Sequence, residues 1–451
     1  MKIAEIYIDG FRNIRKTTLN FSLEPIIVLL APNNCGKSNL LQGIQYGFDL
    51  ISKQGAQTEK FIKDADNYAN WNIKLNPCGT FTFGVKFSIN DKRIYNYKYS
   101  IDYTNNEIKS EDGKYIFEKS KALAVSMESL SYIDETGKQR ILFARKKSNA
   151  LDIDILPNEI CKPVSHVSGE SNNFFKFNLV LHTLGNMAAI KNINNGADNN
   201  VKTALQDIFE VLNKLTAKNI GDIICDEKSD YLAHGSLSQE VIKLLKMDAE
   251  KKTNKFSDFK YGFIELFPYY VVDVFPLQIE GQFQLAFRDN RKDRSEMVKT
   301  LSFGTRRVFK LLSQVISNET ALISLEEIEI GLHPGLYNGL VRTFFNILEN
   351  PEATQDNESR LLISSHAPGI VDAFENRLDS VYVSVPDIQD PSCYQFAKLN
   401  DEGKKFVCSL IKESGGRAGE YIFDMFASDD RKMMSDYLRY LEMGNLKPDE
   451  A

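Results

Sequence analysis

The chain reads A-P-N-N-C-G-K-S at residues 31–38, between the apolar run Ile26–Leu30 and a helical pattern at Asn39–Ile44. An apolar run of this length suits only a buried strand, so strand, loop and helix are predicted in succession. Backbone N–H groups of such a loop can cradle phosphates, Lys37 can reach the outer phosphates, and the Ser38 hydroxyl can hold Mg²⁺. The segment therefore predicts a phosphate-binding loop.

One residue departs from the usual pattern of this loop, G-x-x-x-x-G-K-[ST]. Ala31 occupies the place of the first Gly, and a positive φ at Ala31 would cost about 1–2 kcal/mol. A chance G-K-S after an apolar run is the alternative interpretation. The nucleotide hypothesis therefore depends on further motifs elsewhere in the chain.

Composition narrows the classes of function. The 451 residues include 55 basic and 61 acidic side chains, a net charge of −6. No global positive field therefore favours nucleic acid, which leaves only a local DNA-binding strip. Six cysteines without C-x-x-C spacing indicate reduced thiols rather than disulfides or a zinc module. The sequence has no uncharged apolar run of about 18 residues, so we expect a cytoplasmic protein without a membrane span or export signal.

Hydrophobic periodicity predicts an α/β fold. Alternating Phe, Tyr, Ile and Val between residues 80 and 146 indicate an antiparallel sheet. Four-three spacing of apolar residues between 201 and 215 indicates helices in a compact insertion. After Leu266 strands and helices alternate, which indicates a parallel sheet covered on both faces. The predicted parts are an N-terminal lobe with the phosphate loop at 1–150, a helical insertion at 151–265, a C-terminal lobe at 266–386 and an α/β extension at 387–451.

The chain also places polar groups where a helix begins and a strand ends. In the segment L-S-F-G, Ser302 would start a helix whose N-terminal partial charge suits a γ-phosphate, and Gly304 would let backbone approach an anion. The next predicted strand ends in Glu326 and Glu327. Alternation would turn one carboxylate toward a metal and the other toward an attacking water. Taken alone, each signal has a better explanation than a nucleotide site. Ser302 can be an ordinary helix cap, and Glu326 and Glu327 can be exposed acids at a strand end.

A further predicted strand, Leu361–Ser364, is followed by Ser365 and His366. A neutral imidazole can hydrogen-bond a γ-phosphate or orient water, although a lone His at a strand end is more often a surface residue. The order of the motifs favours the functional interpretation. Phosphate loop, Ser-x-Gly helix start, acidic strand end, Leu-His-Pro at 332–334 and strand-end His each lie on the element that their chemistry needs. Chance matches would rarely give this succession.

In this order the motifs resemble the ABC-type ATPase heads of the SMC, RecF and OLD (overcoming lysogenisation defect) group. The resemblance covers residues 1–50 and 298–385, and it implies a head made of a parallel sheet and an antiparallel lobe, with a helical insertion. The matching segments are Ile8–Ile14 for the N-terminal strand and its F-R turn, Leu301–Gly304 for the signature motif, Glu326–Glu327 for Walker B, Ile330–Pro334 for the D-loop region and Ser365–His366 for the switch histidine.

The resemblance also implies a homodimer or higher homo-oligomer in which two heads sandwich ATP and Mg²⁺, with Ser302 of one head facing the P-loop of the other. It implies that Glu327 is the general base and that His366 senses the γ-phosphate. Ser38 and Glu326 would hold Mg²⁺. The residues that would contact nucleotide are Arg12, Asn33, Asn34, Cys35, Gly36, Lys37, Ser38, Asn39, Ser302 and Gly304.

Some residues of these motifs differ from those usual in the group, and the differences affect the rate of ATP hydrolysis that we expect. Ala31 and Asn34 occupy two positions where the group usually has Gly, and Glu326 replaces the Walker B Asp. The extra methylene of Glu326 moves its carboxylate by about one bond length, against a metal that prefers ligands at ~2.0–2.1 Å. Slow turnover, or a degenerate ATP-binding scaffold without hydrolysis, is therefore one alternative. No glutamine is assigned to the Q-loop.

The spacing of the motifs separates members of the group. Residues 37 and 302 lie 265 positions apart, too few for the arms of SMC proteins and too many for a compact transporter ATPase. The 85 residues after His366 contain no acidic cluster that suggests the TOPRIM nuclease of OLD proteins. The chain therefore most resembles stand-alone OLD-like ATPases of bacterial anti-phage systems, such as the PARIS or Septu ATPase subunits, in which a separate effector protein is the toxic nuclease. A RecF-like DNA repair ATPase is the alternative.

Overall fold

The structure is a computed structural model. It describes residues 1–52, 79–89, 93–103, 107–111, 114–118, 122–133, 137–145, 179, 181, 215–220, 236–251, 253–269, 271–279, 282–289, 294–297, 301–349, 359–387, 390–426 and 437–442. Most of the helical insertion predicted at 151–265, including the apolar spacing from 201 to 212, lies outside these residues.

The described elements are mostly strands up to residue 220, and strands alternate with helices between residues 303 and 386. The strands are β1 (Lys2–Asp9), β2 (Thr17–Asn20), β3 (Ile26–Leu30), β4 (Thr80–Ile89), β5 (Arg93–Tyr103), β6 (Glu107–Glu111), β7 (Lys114–Glu118), β8 (Ala122–Ile133), β9 (Gln139–Arg145), β10 (Ala217–Ile220), β11 (Val271–Ile279), β12 (Gln282–Asp289), β13 (Arg294–Met297), β14 (Leu322–Glu326), β15 (Arg360–Ser365), β16 (Val381–Pro386) and β17 (Tyr394–Lys398). The α-helices are α1 (Lys37–Ser52), α2 (Ser236–Lys251), α3 (Lys255–Leu266), α4 (Phe303–Ile316), α5 (Tyr337–Glu349), α6 (Pro368–Asp372), α7 (Asp401–Ser414) and α8 (Ala418–Phe426). Of these helices, none has both the length and the apolar character of a membrane span.

Six strands form a mostly parallel central sheet in the order β10-β14-β15-β3-β16-β17. The first five run parallel to one another, and the edge strand β17 is antiparallel to β16. Every residue of β3 and of β15 is buried, as expected for strands that are covered on both faces. The predicted α/β fold with a parallel sheet is confirmed.

The parallel pairing brings the carboxyl ends of β14, β15 and β3 to one edge of the central sheet. Glu326 at the end of β14 pairs with Ser364, and Ser365 at the end of β15 pairs with Leu30. The loop after β3, the acidic pair after β14 and the histidine after β15 are therefore neighbours. This edge is where open α/β sheets bind their ligands.

A second six-stranded sheet is antiparallel, in the order β2-β1-β4-β5-β8-β9. It confirms the antiparallel sheet predicted between residues 80 and 146, and it also includes β1 and β2. Helix α1 shares a hydrophobic cluster with this sheet and with one face of the central sheet. The Tyr99 hydroxyl on β5 donates to the Gly47 carbonyl on α1 at 2.8 Å. The P-loop helix is thus held between the two sheets.

Helices α3, α4 and α5 cover the other face of the central sheet, and alternate residues of β3 contribute to the two clusters. Phe309 on α4 contacts Phe259 and Phe263 on α3 edge to face, with ring centroids 4.7 and 5.3 Å apart. This packing fixes α4, whose first turn carries the signature segment.

Two details of the sequence prediction are wrong. Residues 217–220, inside the predicted helical insertion, form β10, an edge strand that pairs in parallel with β14. Strands β11, β12 and β13 form a separate antiparallel sheet instead of extending the parallel one. Two residues separate β11 from β12. Such a connection allows a hairpin, whereas parallel strands need a crossover of about a dozen residues or more.

Candidate functional site

The phosphate loop leaves β3 and turns sharply into α1. Asn34 has φ of 64° and Gly36 has φ of 88°, whereas Ala31 is not among the residues with positive φ. Asn tolerates the left-handed region because its short side chain can bond locally. The loop therefore makes its turn at Asn34, and the strain that a positive φ would cause at Ala31 does not arise.

Lys37 lies buried at the start of α1, with its ammonium facing the loop. Nζ donates to the carbonyl oxygens of Ala31 at 2.7 Å and Pro32 at 2.9 Å, and it lies 3.0 Å from Nδ1 of His366. Burial lowers the pKa of Lys37 to about 8, although the nearby Cys35, Glu327 and Glu329 raise it in part. An ammonium held in this way can exchange loop carbonyls for phosphate oxygens.

His366 links Lys37 to Glu327. Its Nε2 lies 2.9 Å from Oε1 of Glu327. Because a lysine ammonium only donates, Nδ1 is assigned as the acceptor, and the neutral ring then donates from Nε2 to the carboxylate. Lys37, His366 and Glu327 thus form one continuous row of hydrogen bonds across the ends of β3, β15 and β14.

The backbone of Glu327 is strained and firmly held. Its φ is 48°, a region that a residue with a β-carbon occupies at a cost of about 1–2 kcal/mol. Its N–H donates to the Ser364 carbonyl at 2.9 Å, and its own carbonyl accepts from Nη2 of Arg307 at 2.9 Å. Strain of this kind persists where the surroundings impose it and is common at functional sites.

Glu326 and Ser38 provide the oxygens on the metal side of the site. The Ser38 hydroxyl donates to Oε2 of Glu326 at 3.1 Å. A hydroxyl and a carboxylate are hard ligands, and Mg²⁺ is usually held by one or two carboxylates, with waters and substrate phosphates completing its shell. In the described part of the chain no group of three or more His, Cys, Asp and Glu residues forms an all-protein cage. These residues therefore fit Mg²⁺ that is shared with phosphates.

Comparison with known protein families agrees with this geometry. The family model described as "AAA domain, putative AbiEii toxin, Type IV TA system" matches residues 26–372. The chain belongs to this AAA-domain family. Membership supports an ATP-binding ATPase, in line with the phosphate loop and the acidic strand end. No curated protein sequence matches the chain significantly.

Solved structures similar to this AAA domain include heads of SMC proteins. The SMC head domain from Thermotoga maritima aligns at 11% identity and a TM-score of 0.40, covering 89% of this chain and 100% of that chain. An SMC head with an extended coiled coil from Pyrococcus furiosus, bound to the C-terminal domain of ScpA, aligns at 11% identity and a TM-score of 0.37, covering 91% and 100%. These TM-scores are too low to add to the family assignment.

The signature segment of the AAA domain starts α4, as predicted. Ser302 is the N-cap, and its Oγ accepts from the Thr305 N–H at 3.4 Å and lies 2.8 Å from the Thr305 hydroxyl. Within the described residues, the hydrogen bonds of the Ser302 hydroxyl stay inside its own helix start. Among the described residues, Ser302 therefore has no hydrogen bond to Lys37 or Glu327 of the same chain.

Gly304 packs the signature helix against the loop that follows Glu327. A β-carbon at Gly304 would lie 2.7 Å from the carbonyl oxygen of Gly331, and one at Gly331, whose φ is 71°, would lie 2.4 Å from Cε1 of Phe303. Gly304 is therefore needed for close contact with backbone, and the positive φ at residue 331 favours Gly there. Arg307 on α4 also bonds the Glu327 carbonyl. Helix α4 therefore contacts the loop after β14 at two points, Glu327 and Gly331.

Arg12 lies against the P-loop helix of the AAA domain. Its Nη1 donates to Oδ1 of Asn39 and Oε1 of Gln42, each at 2.7 Å. Asn39 in turn donates to Oδ1 of Asn13 at 2.7 Å. The structure thus groups Arg12 and Asn39 beside the loop, and their contact with nucleotide stays a prediction.

Asn33 and Cys35 form the outer part of the phosphate loop. The Cys35 thiol donates to the Asn33 carbonyl at 3.5 Å, and the Cys35 carbonyl accepts from the Ser384 hydroxyl at 3.1 Å. These contacts connect the loop to β16, so both residues help to shape it. Their contact with nucleotide also stays a prediction.

Sequence reasoning missed three residues that hold the site, one of which is Arg307, the donor to the Glu327 carbonyl. Asn219 on β10 donates from Nδ2 to Oε1 of Glu326 at 2.9 Å, and Glu329 accepts the N–H of His366 at 2.7 Å. Glu329 was open to detection, because it lies between two segments that the sequence analysis singled out, Glu326–Glu327 and Ile330–Pro334. Asn219 lies in no motif, and the helical prediction for its segment concealed the strand.

Lys37 should make nucleotide affinity depend on pH. Because burial lowers the pKa of Lys37 to about 8, the nucleotide-free protein loses this positive charge as pH rises through that value. Phosphate binding needs the charged form, so affinity is expected to fall above about pH 8, approaching tenfold per pH unit. Binding of a fluorescent ATP analogue between about pH 6.5 and 9.5 measures this. Lys37→Arg is the control, because arginine stays charged throughout this range; equal slopes in both proteins would contradict the prediction.

Proposed function

We propose that this AAA domain binds ATP with Mg²⁺ and hydrolyses it to ADP and phosphate. The observation that carries the proposal is the row from Lys37 through His366 to Glu327, with Ser38 and Glu326 beside it. The row joins a phosphate-binding cation to a carboxylate within the reach of one reacting phosphoryl group. An ion pair that only stabilised the surface would not require side chains placed at the ends of three strands.

Each side chain has a separate task in the proposed reaction. Lys37 binds phosphate oxygens, and Ser38 with Glu326 would hold Mg²⁺, which when bound neutralises charge on the transferring phosphoryl group. Glu327 accepts a proton from the attacking water. His366 donates to Glu327, which holds that carboxylate in place, and its contact with Lys37 makes it responsive to an occupied phosphate site.

Phosphate release by the purified chain, with ATP and Mg²⁺, tests this proposal directly. Release that depends on both would support hydrolysis. ATP binding without release would instead identify the non-hydrolysing scaffold, and an absence of both would refute the proposed function.

We propose further that two copies close around ATP, with Ser302 of one copy facing the phosphates bound by the other. Support comes from the Ser302 hydroxyl, whose described hydrogen bonds remain in its own helix start. The neighbouring Phe303 is 41% exposed, and Ile330 is 48% exposed. A second copy would cover these apolar side chains. Phe303 lies at the start of α4 and Ile330 in the loop after β14, and these two segments pack together at Gly304 and Gly331.

Replacing Ser302 by Glu should block this closure. A carboxylate facing phosphates across an interface costs several kcal/mol, on the order of the like-charge penalties at protein interfaces. ATP-dependent dimerisation, measured by light scattering, and hydrolysis are expected to be lost, whereas nucleotide binding to the single subunit remains. Ser414→Glu, at an exposed serine of α7, is the matched control. Unchanged dimerisation in the Ser302 variant would contradict the composite site.

The cellular role that we propose is that of a sensor or scaffold in a bacterial anti-phage defence system, acting in the cytoplasm on a separate effector protein. The family description names a toxin of a type IV toxin–antitoxin system, which supports a place in a system of this general kind. Co-purification with the product of a neighbouring gene, with ATP or ADP, tests the role. Failure to associate in either state would count against it, and DNA-stimulated, salt-sensitive hydrolysis would favour the RecF-like alternative.

A further inference from the structure

Glu326 accepts hydrogen bonds on both of its carboxylate oxygens. The Ser38 hydroxyl donates to Oε2 at 3.1 Å, and the Asn219 amide donates from Nδ2 to Oε1 at 2.9 Å. The two donors belong to elements far apart in the chain, the P-loop helix α1 and the edge strand β10. Together they restrict the rotation of the carboxylate as well as its position.

Strand β10 is itself tied to the P-loop helix. Oε1 of Gln45 accepts the backbone N–H of Asn219 at 3.1 Å, while its Nε2 donates to Asp49 at 2.9 Å. Gln45 follows Ser38 by seven residues, so both lie on the same side of α1. The helix that carries Ser38 therefore also sets the position of the backbone from which Asn219 reaches Glu326.

The amide of Asn219 has one unsatisfied end. Its Oδ1 is buried and has no hydrogen-bond partner among the residues that the structure describes. A buried carbonyl without a partner is unfavourable, and a rotated amide would turn Oδ1 against the Glu326 carboxylate. Buried polar groups normally have a hydrogen-bond partner. The unsatisfied Oδ1 is explained if the site requires the amide orientation in which Nδ2 donates to Glu326.

We propose that Asn219 is a positioning residue of the metal site, which holds the Glu326 carboxylate so that Oε2 and the Ser38 hydroxyl serve one Mg²⁺ ion. This inference rests on the proposed function. The longer side chain of Glu has one more rotatable bond than that of Asp, and Asn219 removes the freedom that this bond adds. In this role Asn219 contacts Glu326 and not the ion or the nucleotide.

Asn219→Leu tests the proposal, because it removes the donor at similar volume. The Mg²⁺ concentration that gives half-maximal binding of a fluorescent ATP analogue is expected to rise about tenfold, as for other partners of metal ligands. Binding in EDTA should match wild type. The matched control is Asn318→Leu, which removes a buried amide that donates to the Thr320 carbonyl, at the opposite end of β14. It should lower the melting temperature without changing the Mg²⁺ dependence.

A double-mutant cycle separates positioning from a general loss of structure. Since Asn219 acts through Glu326, Asn219→Leu should cause no further change in the Mg²⁺ dependence once Glu326→Ala is present. Equal Mg²⁺ dependence in wild type and Asn219→Leu, or full additivity with Glu326→Ala, would overturn the inference and leave the proposed function standing. A wild-type chain that binds no nucleotide at any Mg²⁺ concentration would overturn both.

Discussion

Replacing Lys37 by methionine is expected to weaken ATP binding by about 100-fold or more. Hydrogen bonds to charged groups contribute about 1.5–3 kcal/mol each, and about 1.4 kcal/mol corresponds to tenfold in affinity. Lys37 already directs its ammonium at the loop carbonyls of Ala31 and Pro32. Methionine has nearly the same length but no ammonium, so the substitution removes a preorganised donor. Titration calorimetry with ATP and Mg²⁺ measures the change.

The same substitution should leave the nucleotide-free fold intact. Burial lowers the pKa of Lys37, which means that its charge is unfavourable in the folded state at neutral pH. An apolar side chain removes this cost, which offsets the lost hydrogen bonds to the Ala31 and Pro32 carbonyls, so little change in thermal stability is expected. Lys412→Met, at an exposed lysine on α7, is the matched control. Wild-type affinity in the Lys37 variant would refute the phosphate-binding role of this loop.

Replacing Glu327 by glutamine is expected to slow phosphate release by about 100-fold to 10,000-fold, the usual contribution of a general base. Glutamine has nearly the same shape, and its carbonyl oxygen can still accept from Nε2 of His366. ATP affinity should therefore stay close to wild type. The bound ATP should persist and hold the chain as a dimer, which light scattering detects.

Single-turnover phosphate release distinguishes the outcomes for Glu327. Glu402→Gln, at an exposed carboxylate in the first turn of α7, is the matched control and should behave as wild type. Equal, measurable rates in wild type and Glu327→Gln would exclude this carboxylate as the base. Equal rates of zero would identify an ATP-binding scaffold without hydrolysis, and the binding half of the proposal would stand.

The central part of the site could be predicted because its signals are local. The apolar runs that became β3, β14 and β15 are buried on both faces, and such runs are recognisable in sequence. Parallel strands place their carboxyl ends at one edge, so the residues after these runs were expected at the same edge of the sheet. The prediction that Lys37, Glu327 and His366 belong to one site followed from the order of the motifs and from the family resemblance that this order carries. The structure brings the three side chains within hydrogen-bond distance.

Contacts between distant segments could not be predicted in the same way. Arg307 bonds the carbonyl of Glu327, and Asn219 bonds Glu326, yet neither residue differs in type or spacing from an ordinary helix or strand residue. The short strand β10 has only four residues, too few for a reliable period. Its place beside β14 depends on pairing and burial that arise only when the chain is folded.

Sequence by itself thus determined the class of fold, the phosphate loop and the identity of the acidic and histidine strand ends. These signals are hydrophobic periodicity and short motifs, which depend on residues close together in the chain. Tertiary structure alone decided that the turn falls at Asn34 rather than at Ala31, and that β11 to β13 form their own sheet. It also decided which groups orient each carboxylate. Hydrogen bonds between elements need donor and acceptor about 2.7–3.2 Å apart. Tertiary packing sets that distance, and local sequence does not encode it.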